Sequence, residues 1–415
     1  MKLMHKFFNH VLFVTVIYLL FNLSYYELLP SVNYMWKQSI AFSVSEMYFG
    51  YFMSLVLLTT TLFMSPVFKA AYSIVLVMVF MPIATVANVI VIDYWFVVLI
   101  FLFLFLFSLI SIVLKYFEPN KFYYLSNISF FESGFLKIIK VIACFFLCTF
   151  LITNFGAINF NLLSVATNVY DIRSENKMGI FDAYSTRFML SVLSPILIFM
   201  AFKYRDMFAL FLAFLISYLL FSVYAMKIQM LYFFLYSFFG YFILMRGWQF
   251  NWALNVFIVV IVMVSFFIGV LGYNLLDRFI FLPGLLNLLY LDYFSIYELN
   301  MFENSKLSII FGGSNYDKTL GYIIDSNYFG GGMNANTGFL ASSYAELGIP
   351  GLIFALSIFN FTLYTISIIE KKVKYLGVFL AISFTFELMN APITNMFLTN
   401  SFFVIFILPY IIKRI

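Results

Sequence analysis

The sequence predicts an all-α, polytopic integral membrane protein with about 12 transmembrane helices, and three observations carry that expectation. Of its 415 residues, 64% are hydrophobic and 10% charged, whereas soluble domains carry roughly 25% charged residues. Apolar runs of roughly 17–25 residues, the length that crosses a hydrocarbon core, recur along the whole chain. These runs are continuous, without the short apolar–polar alternation that a membrane β-barrel needs.

The first run, 7–24, follows Lys2, His5 and Lys6 and has the charge pattern of a signal peptide. No small-x-small cleavage site follows it and another apolar run comes next, so it reads as a retained helix. Further spans are expected at 41–62, 70–91, 94–114, 138–153, 187–202, 207–224, 230–245, 253–272, 347–369, 375–390 and 396–412. Cys144 and Cys148 lie one helical turn apart in the span at 138–153, with no other soft ligand nearby, and read as packing residues. Glu46 and Glu387 are expected inside spans, where an ionisable group costs on the order of 3 kcal/mol on insertion scales unless paired or hydrated. They either line a path or fix helix packing. Residues 1–415 are expected to form one polytopic domain.

Basic residues set the orientation. With the N-terminus cytoplasmic, 15 of the 23 Lys and Arg fall on the inner side, including the EKKVK run at 370–374 and the terminal KRI. Two long segments, 154–186 and 273–346, then form large outer loops. Their aromatic content argues against disordered linkers and for segments folded back onto the membrane surface.

The chemistry-bearing residues concentrate in those loops. Asp171, Arg173, Glu175, Lys177, Asp182 and Arg187 crowd NVYDIRSENKMGIFDAYSTR at 168–187. The group is either a solvated set of ion pairs or a clamp for an anion, since the planar guanidinium binds phosphate oxygens in pairs. LDRFIFLPGLLNLLYLDYFSIYE, 276–298, carries no charge between Arg278 and Asp292, too short a stretch to span, and suits an interfacial or re-entrant element broken at Pro283-Gly284. Arg278 either anchors the headgroup region or binds an anion. Lys227 sits in a short outer turn, against the charge rule, and pairs either with a carboxylate or with a lipid-linked phosphate. In GGMNANTGFLASSYAELGIPG, 331–351, the glycines serve as turn residues or admit a bulky ligand. Asn336 and Thr337 there either cap a helix or read hydroxyls.

His5 and His10, the only histidines, are both at the cytoplasmic end, and there is no HExxH, CxxC or Walker-type loop. ATP hydrolysis, a zinc site and an outer-face histidine base are therefore not expected. No metal and no cofactor is called for, and nucleic acid is not an expected partner.

The span count, the two outer loops, the DIR of 171–173, RFIFLPGLLN at 278–287 and NANTGFLASSYAELGIPG at 334–351 together resemble the O-antigen polymerases of the Wzy type. Those are bacterial inner-membrane enzymes that polymerise oligosaccharide repeat units. One departure is that some members carry Gly eleven positions after an outer-loop Arg, where this chain has Tyr184 after Arg173 and Leu289 after Arg278. The related O-antigen ligases use an outer-loop histidine that this chain lacks.

The resemblance implies a GT-C-like helical glycosyltransferase in the inner membrane, with both termini cytoplasmic and a periplasmic active face. It implies undecaprenyl-pyrophosphate-linked repeat units as substrates, membrane lipid as surroundings, and a chain-length regulator and a flippase of the same pathway as partners. On this reading Arg173, Arg278 and Lys227 stabilise the pyrophosphate leaving group. Asn334, Asn336 and Thr337 meet sugar hydroxyls, and Tyr290 and Tyr344 stack on pyranose rings. Glu346, Asp292 or Asp171 orients or deprotonates the acceptor hydroxyl, and Arg187 is a further substrate-binding residue. The alternative is a flippase for the same lipid-linked unit, which needs more charge within its spans than this sequence offers.

Overall fold

The computed structural model describes residues 2–28, 42–90, 92–117, 128–161, 165, 172, 176, 179–225, 227–268, 276–303, 308–311, 316–331, 334, 335, 337–398 and 402–414. Every regular element among them is helical. Among the described residues, six helices are long and apolar enough to cross a membrane: Pro66–Ala87, Trp95–Tyr116, Leu136–Ala157, Asp182–Tyr204, Met207–Tyr224 and Ile349–Lys372. Shorter apolar helices cover Val14–Tyr26, Met230–Met245, Phe250–Ser265 and Leu376–Leu388. The chain is thus a helical membrane protein.

Helix starts follow local signals. The span expected at 70–91 begins at Pro66 and ends at Ala87, because Ser65-Pro66 supplies an extended residue and then a first-turn proline whose missing N–H costs nothing there. Asp206 caps Met207–Tyr224 by accepting from the Ala209 N–H at 3.1 Å. Ser43 caps Val44–Thr61 the same way, accepting from the Glu46 N–H at 3.4 Å. Glu46 therefore lies in the first turn of its helix. The stretch 396–412 is not one span either: its described helices are Ile393–Leu398 and Val404–Arg414, with a turn at 402–403 before the second.

Three prolines share a device. Pro82, Pro195 and Pro283 each stand second in an α-helix that continues directly from a five-residue π turn, at Leu76–Phe80, Met189–Leu193 and Asp277–Phe281. The wider turn makes room for a ring that has no N–H and would clash with the carbonyl of the preceding turn. Each helix passes through its proline unbroken.

The helices gather into two compact units, Met1–Phe117 with Leu254–Tyr364 and Thr385–Ile393, and Glu118–Ala253 with Thr365–Phe384 and Thr394–Ile415. In the first unit Pro66–Ala87 is buried along its whole span, while Trp95–Tyr116 is 28% buried and faces outward. Asn360 ties this unit together. Its Oδ1 accepts from Tyr72 Oη at 2.8 Å and Ser111 Oγ at 3.1 Å, and its Nδ2 donates to the Phe107 carbonyl at 3.0 Å. All its partners are protein groups on two other helices, as a water-free interior requires. The second unit places Leu136–Ala157, 22% buried, on its outside and Asp182–Tyr204, 83% buried, within. There Lys140 pairs with Asp206 at 2.8 Å.

Pro283-Gly284 does not break its segment. Leu282–Ile296 is a continuous 15-residue helix with Pro283 in its first turn. With the 5-residue π turn before it, the 15-residue helix makes one unbroken helical segment, 277–296, roughly 30 Å long at about 1.5 Å per residue. It packs on Met81–Ala87 and on Phe339–Leu347. Gly284 makes the first contact feasible, because a Cβ there would stand 2.9 Å from the carbonyl carbon and Cβ of Pro82. The segment is thus an unbroken, largely buried helix.

Candidate functional site

The residues expected to carry chemistry divide between the two units. In the first, the segment 330–348 is positioned step by step. Gly330 and Gly331 have φ of +92° and +85°, so these two glycines are turn residues ending the Asp325–Phe329 π turn. Asn334 is exposed and backs onto Gly321, whose missing side chain leaves room for its Oδ1. The Ala335 N–H then donates to the Gly321 carbonyl at 3.2 Å, and the Ala335 carbonyl accepts from Tyr290 Oη at 2.8 Å. Thr337 is buried, and its Oγ1 has no hydrogen-bond partner among the described residues. Gly338 is the cap residue of Phe339–Leu347 and makes no side-chain cap, so Thr337 does not cap that helix.

At the C-terminal end of that helix stands Glu346. Its Oε2 accepts from Asn300 Nδ2 and from the Phe302 N–H, both at 2.7 Å. Backbone bonds run alongside, from Asn300 N to the Ala345 carbonyl at 2.9 Å and from Met301 N to the Glu346 carbonyl at 3.1 Å. These bonds hold Met301 and Phe302 at φ of 49° and 60°, left-handed conformations that cost about 1–3 kcal/mol each for side-chain-bearing residues. Burial raises the Glu346 pKa above the ordinary carboxylate value, against the opposing pull of the Asn300 and Phe302 hydrogen bonds. One of its oxygens is thus committed to holding a strained loop, a role that no sequence spacing announced. Its charge also reaches Tyr290, whose hydroxyl is pushed up first by burial and then by Glu346.

Two expected roles do not survive the geometry. Tyr290 is 1% exposed, so its ring has no face free to stack on a sugar, and its hydroxyl fixes the Ala335 loop instead. Thr337, 4% exposed, has almost no surface to offer a sugar hydroxyl. Tyr344 is half-buried on the same helix as Glu346. Asp292, half-buried near the end of Leu282–Ile296, accepts from Tyr328 Oη at 2.7 Å. Burial and then Asp292 raise the pKa of that phenol, which stays a donor. Tyr328 and Asn300, which hold the Asp292 and Glu346 carboxylates, are candidate-site residues that sequence reading missed. Asn300 and Tyr328 lie 46 and 36 residues from their carboxylate partners, so only folding reveals them.

Asp171, Arg173 and Asn336 lie outside the described residues. Arg278 is in the Asp277–Phe281 turn and Lys227 opens Lys227–Phe239, with only their backbones described. In the second unit Arg187 is half-buried in the last turn of Ile180–Phe188 and engaged with a neighbour. Asp182 of that helix accepts from Asn154 Nδ2 at 3.5 Å, and Asn154 Oδ1 accepts from Tyr224 Oη at 3.3 Å. The other edge of the helix forms an apolar groove of about 660 Å³, lined by Phe145, Phe146, Tyr184, Phe188 and Phe403 among others. Cys144 and Cys148 are free thiols, and no cluster of metal-ligating side chains occurs among the described residues.

Fold and site together define a helical membrane protein whose first unit gathers two hydrogen-bonded carboxylates, Glu346 and Asp292, on a packed pair of short helices. Compared by sequence and by structure with known proteins, the chain matches no protein family, no curated protein and no solved structure.

Proposed function

We propose that the protein is a glycosyltransferase of the bacterial inner membrane that polymerises undecaprenyl-pyrophosphate-linked oligosaccharide repeat units at the periplasmic face. The observation that carries this reading is Glu346, a half-buried carboxylate with one oxygen tied down, at the head of the Ile349–Lys372 span. Raised pKa and fixed orientation are what a group accepting a proton from a sugar hydroxyl needs. The chemistry balances without a cofactor. The acceptor hydroxyl of one lipid-linked unit attacks the anomeric carbon of the growing chain, and a new glycosidic C–O bond forms. The bond to the pyrophosphate oxygen breaks, lipid pyrophosphate leaves with the electron pair, and the hydroxyl proton passes to the carboxylate. Arg278, Arg173 and Lys227 carry the cationic role of stabilising the leaving pyrophosphate. The apolar groove suits hydrocarbon rather than sugar.

The test is glycan length in cells lacking the protein, read on a lipopolysaccharide gel and rescued with wild type or Arg278→Ala. The proposal expects a single repeat on the core in the deletion strain, with the ladder restored by wild type alone. Loss of the single repeat as well, with lipid-linked units held at the cytoplasmic face, would show a flippase instead.

A further inference from the structure

At the C-terminal end of Leu282–Ile296 the chain builds an aromatic corner. Tyr293 and Tyr297 stack with ring centroids 4.4 Å apart and planes at 25°. Tyr293 is buried against Phe294, while Tyr297 is 57% exposed, so the pair presents one pinned ring to the outside. Tyr316 braces the corner from the other side, its ring 6.1 Å from Phe294 and its hydroxyl donating to the Glu298 carbonyl at 2.8 Å. Burial and then the nearby Tyr293 push the Tyr316 pKa up to about 12. Asp292 precedes the stacked pair and is oriented by Tyr328, and exposed Glu298 follows it.

We propose that Tyr297, backed by Tyr293 and flanked by Asp292 and Glu298, is a binding subsite for a neutral pyranose ring of the glycan. The inference rests on the polymerase reading and adds to it the surface that holds the sugar. Physical chemistry favours this occupant over a lipid. The face of an aromatic ring carries negative charge density and attracts the polarised C–H groups on the apolar face of a pyranose. Carboxylates beside it accept hydroxyl hydrogens in charge-assisted bonds. The same carboxylates repel the anionic phosphate of a lipid headgroup. Lys318, the cation closest in sequence to Tyr316, reaches Ser326 Oγ at 3.4 Å. Because the Tyr293 stack already fixes the Tyr297 ring, little rotamer freedom is lost on binding.

The experiment uses the full chain purified in detergent, with size-fractionated oligosaccharide released by mild acid from the surface glycan of wild-type cells. Saturation-transfer NMR and titration should show binding by wild type and by Tyr297→Phe within about twofold of each other. Tyr297→Ala should weaken binding at least tenfold, about 1.4 kcal/mol. In cells, Tyr297→Ala should shorten the glycan ladder, and Tyr297→Phe should restore it. Equal binding by wild type and Tyr297→Ala, or no binding by wild type, overturns the subsite. The polymerase reading fails separately, if deleting the gene leaves the glycan ladder unchanged.

Discussion

Replacing Glu346 with alanine removes the acceptor that two buried donors share. Asn300 and Phe302 are 2% and 6% exposed, so neither the Asn300 amide nor the Phe302 N–H gains water in exchange. At about 1.5 kcal/mol for each unsatisfied donor, the sum is about 3 kcal/mol. The left-handed backbone at Met301 and Phe302 adds a reason for the loop to open once its tie is cut. The cost falls on local opening of residues 300–302, so the assay is hydrogen exchange at the Phe302 amide, read by mass spectrometry on purified protein. Three kcal/mol corresponds to roughly a hundredfold faster exchange in Glu346→Ala. Glu346→Gln keeps a carbonyl acceptor and should stay within about 1 kcal/mol of wild type. The sign of the pH effect follows from the raised pKa: the stabilising contribution is complete below the ordinary value of 4.5 and is lost as pH rises through the higher folded value. Protection at Phe302, corrected for intrinsic exchange, should therefore fall over that window in wild type and stay flat in Glu346→Gln. Wild-type exchange rates in Glu346→Ala would refute the tie.

Three further outcomes are expected. Gly284→Ala places a Cβ 2.9 Å from Pro82 and should cost about 1–3 kcal/mol, lowering the melting temperature in detergent, whereas Gly156→Ala meets nothing within 4 Å and should not. Asn360→Ala strands the Tyr72 hydroxyl in a buried interface and should cost about 1–3 kcal/mol by the same melt, with Tyr72→Phe in the same chain recovering part of the loss. For Asp206, burial raises the pKa, but the bonds from Lys140 and the Ala209 N–H outweigh it and the net shift is downward from 3.8. Its contribution is present above 3.8 and lost as pH falls through the lower folded value, so Lys140→Met should raise the pH at which acid destabilises the protein.

Much of the helical layout was legible because hydrophobic run length reports it directly: the helix at 207–224 begins and ends where its apolar run does. What escaped the sequence depended on distant partners. Pro283-Gly284 reads as a breaker in the sequence, yet the helix runs through it, after a π turn and packed on Pro82, some two hundred residues earlier. Tyr290 and Tyr297 have the same side chain, yet Tyr290 is 1% exposed within a helix that Phe339–Leu347 packs on, and Tyr297, seven residues on and just past the helix end, is 57% exposed. Glu346 stood out as a carboxylate at a helix end. Its grip on Asn300 and Phe302 crosses more than forty residues and leaves no local pattern.

The most direct test of the central claim is reconstitution of the purified chain in proteoliposomes with undecaprenyl-pyrophosphate-linked repeat units, followed by product sizing. The account predicts lipid-linked oligomers of two or more repeats, with one lipid pyrophosphate released per bond formed and no product from Glu346→Ala protein that remains folded by circular dichroism. Transbilayer movement of the lipid-linked unit without any elongation would contradict it.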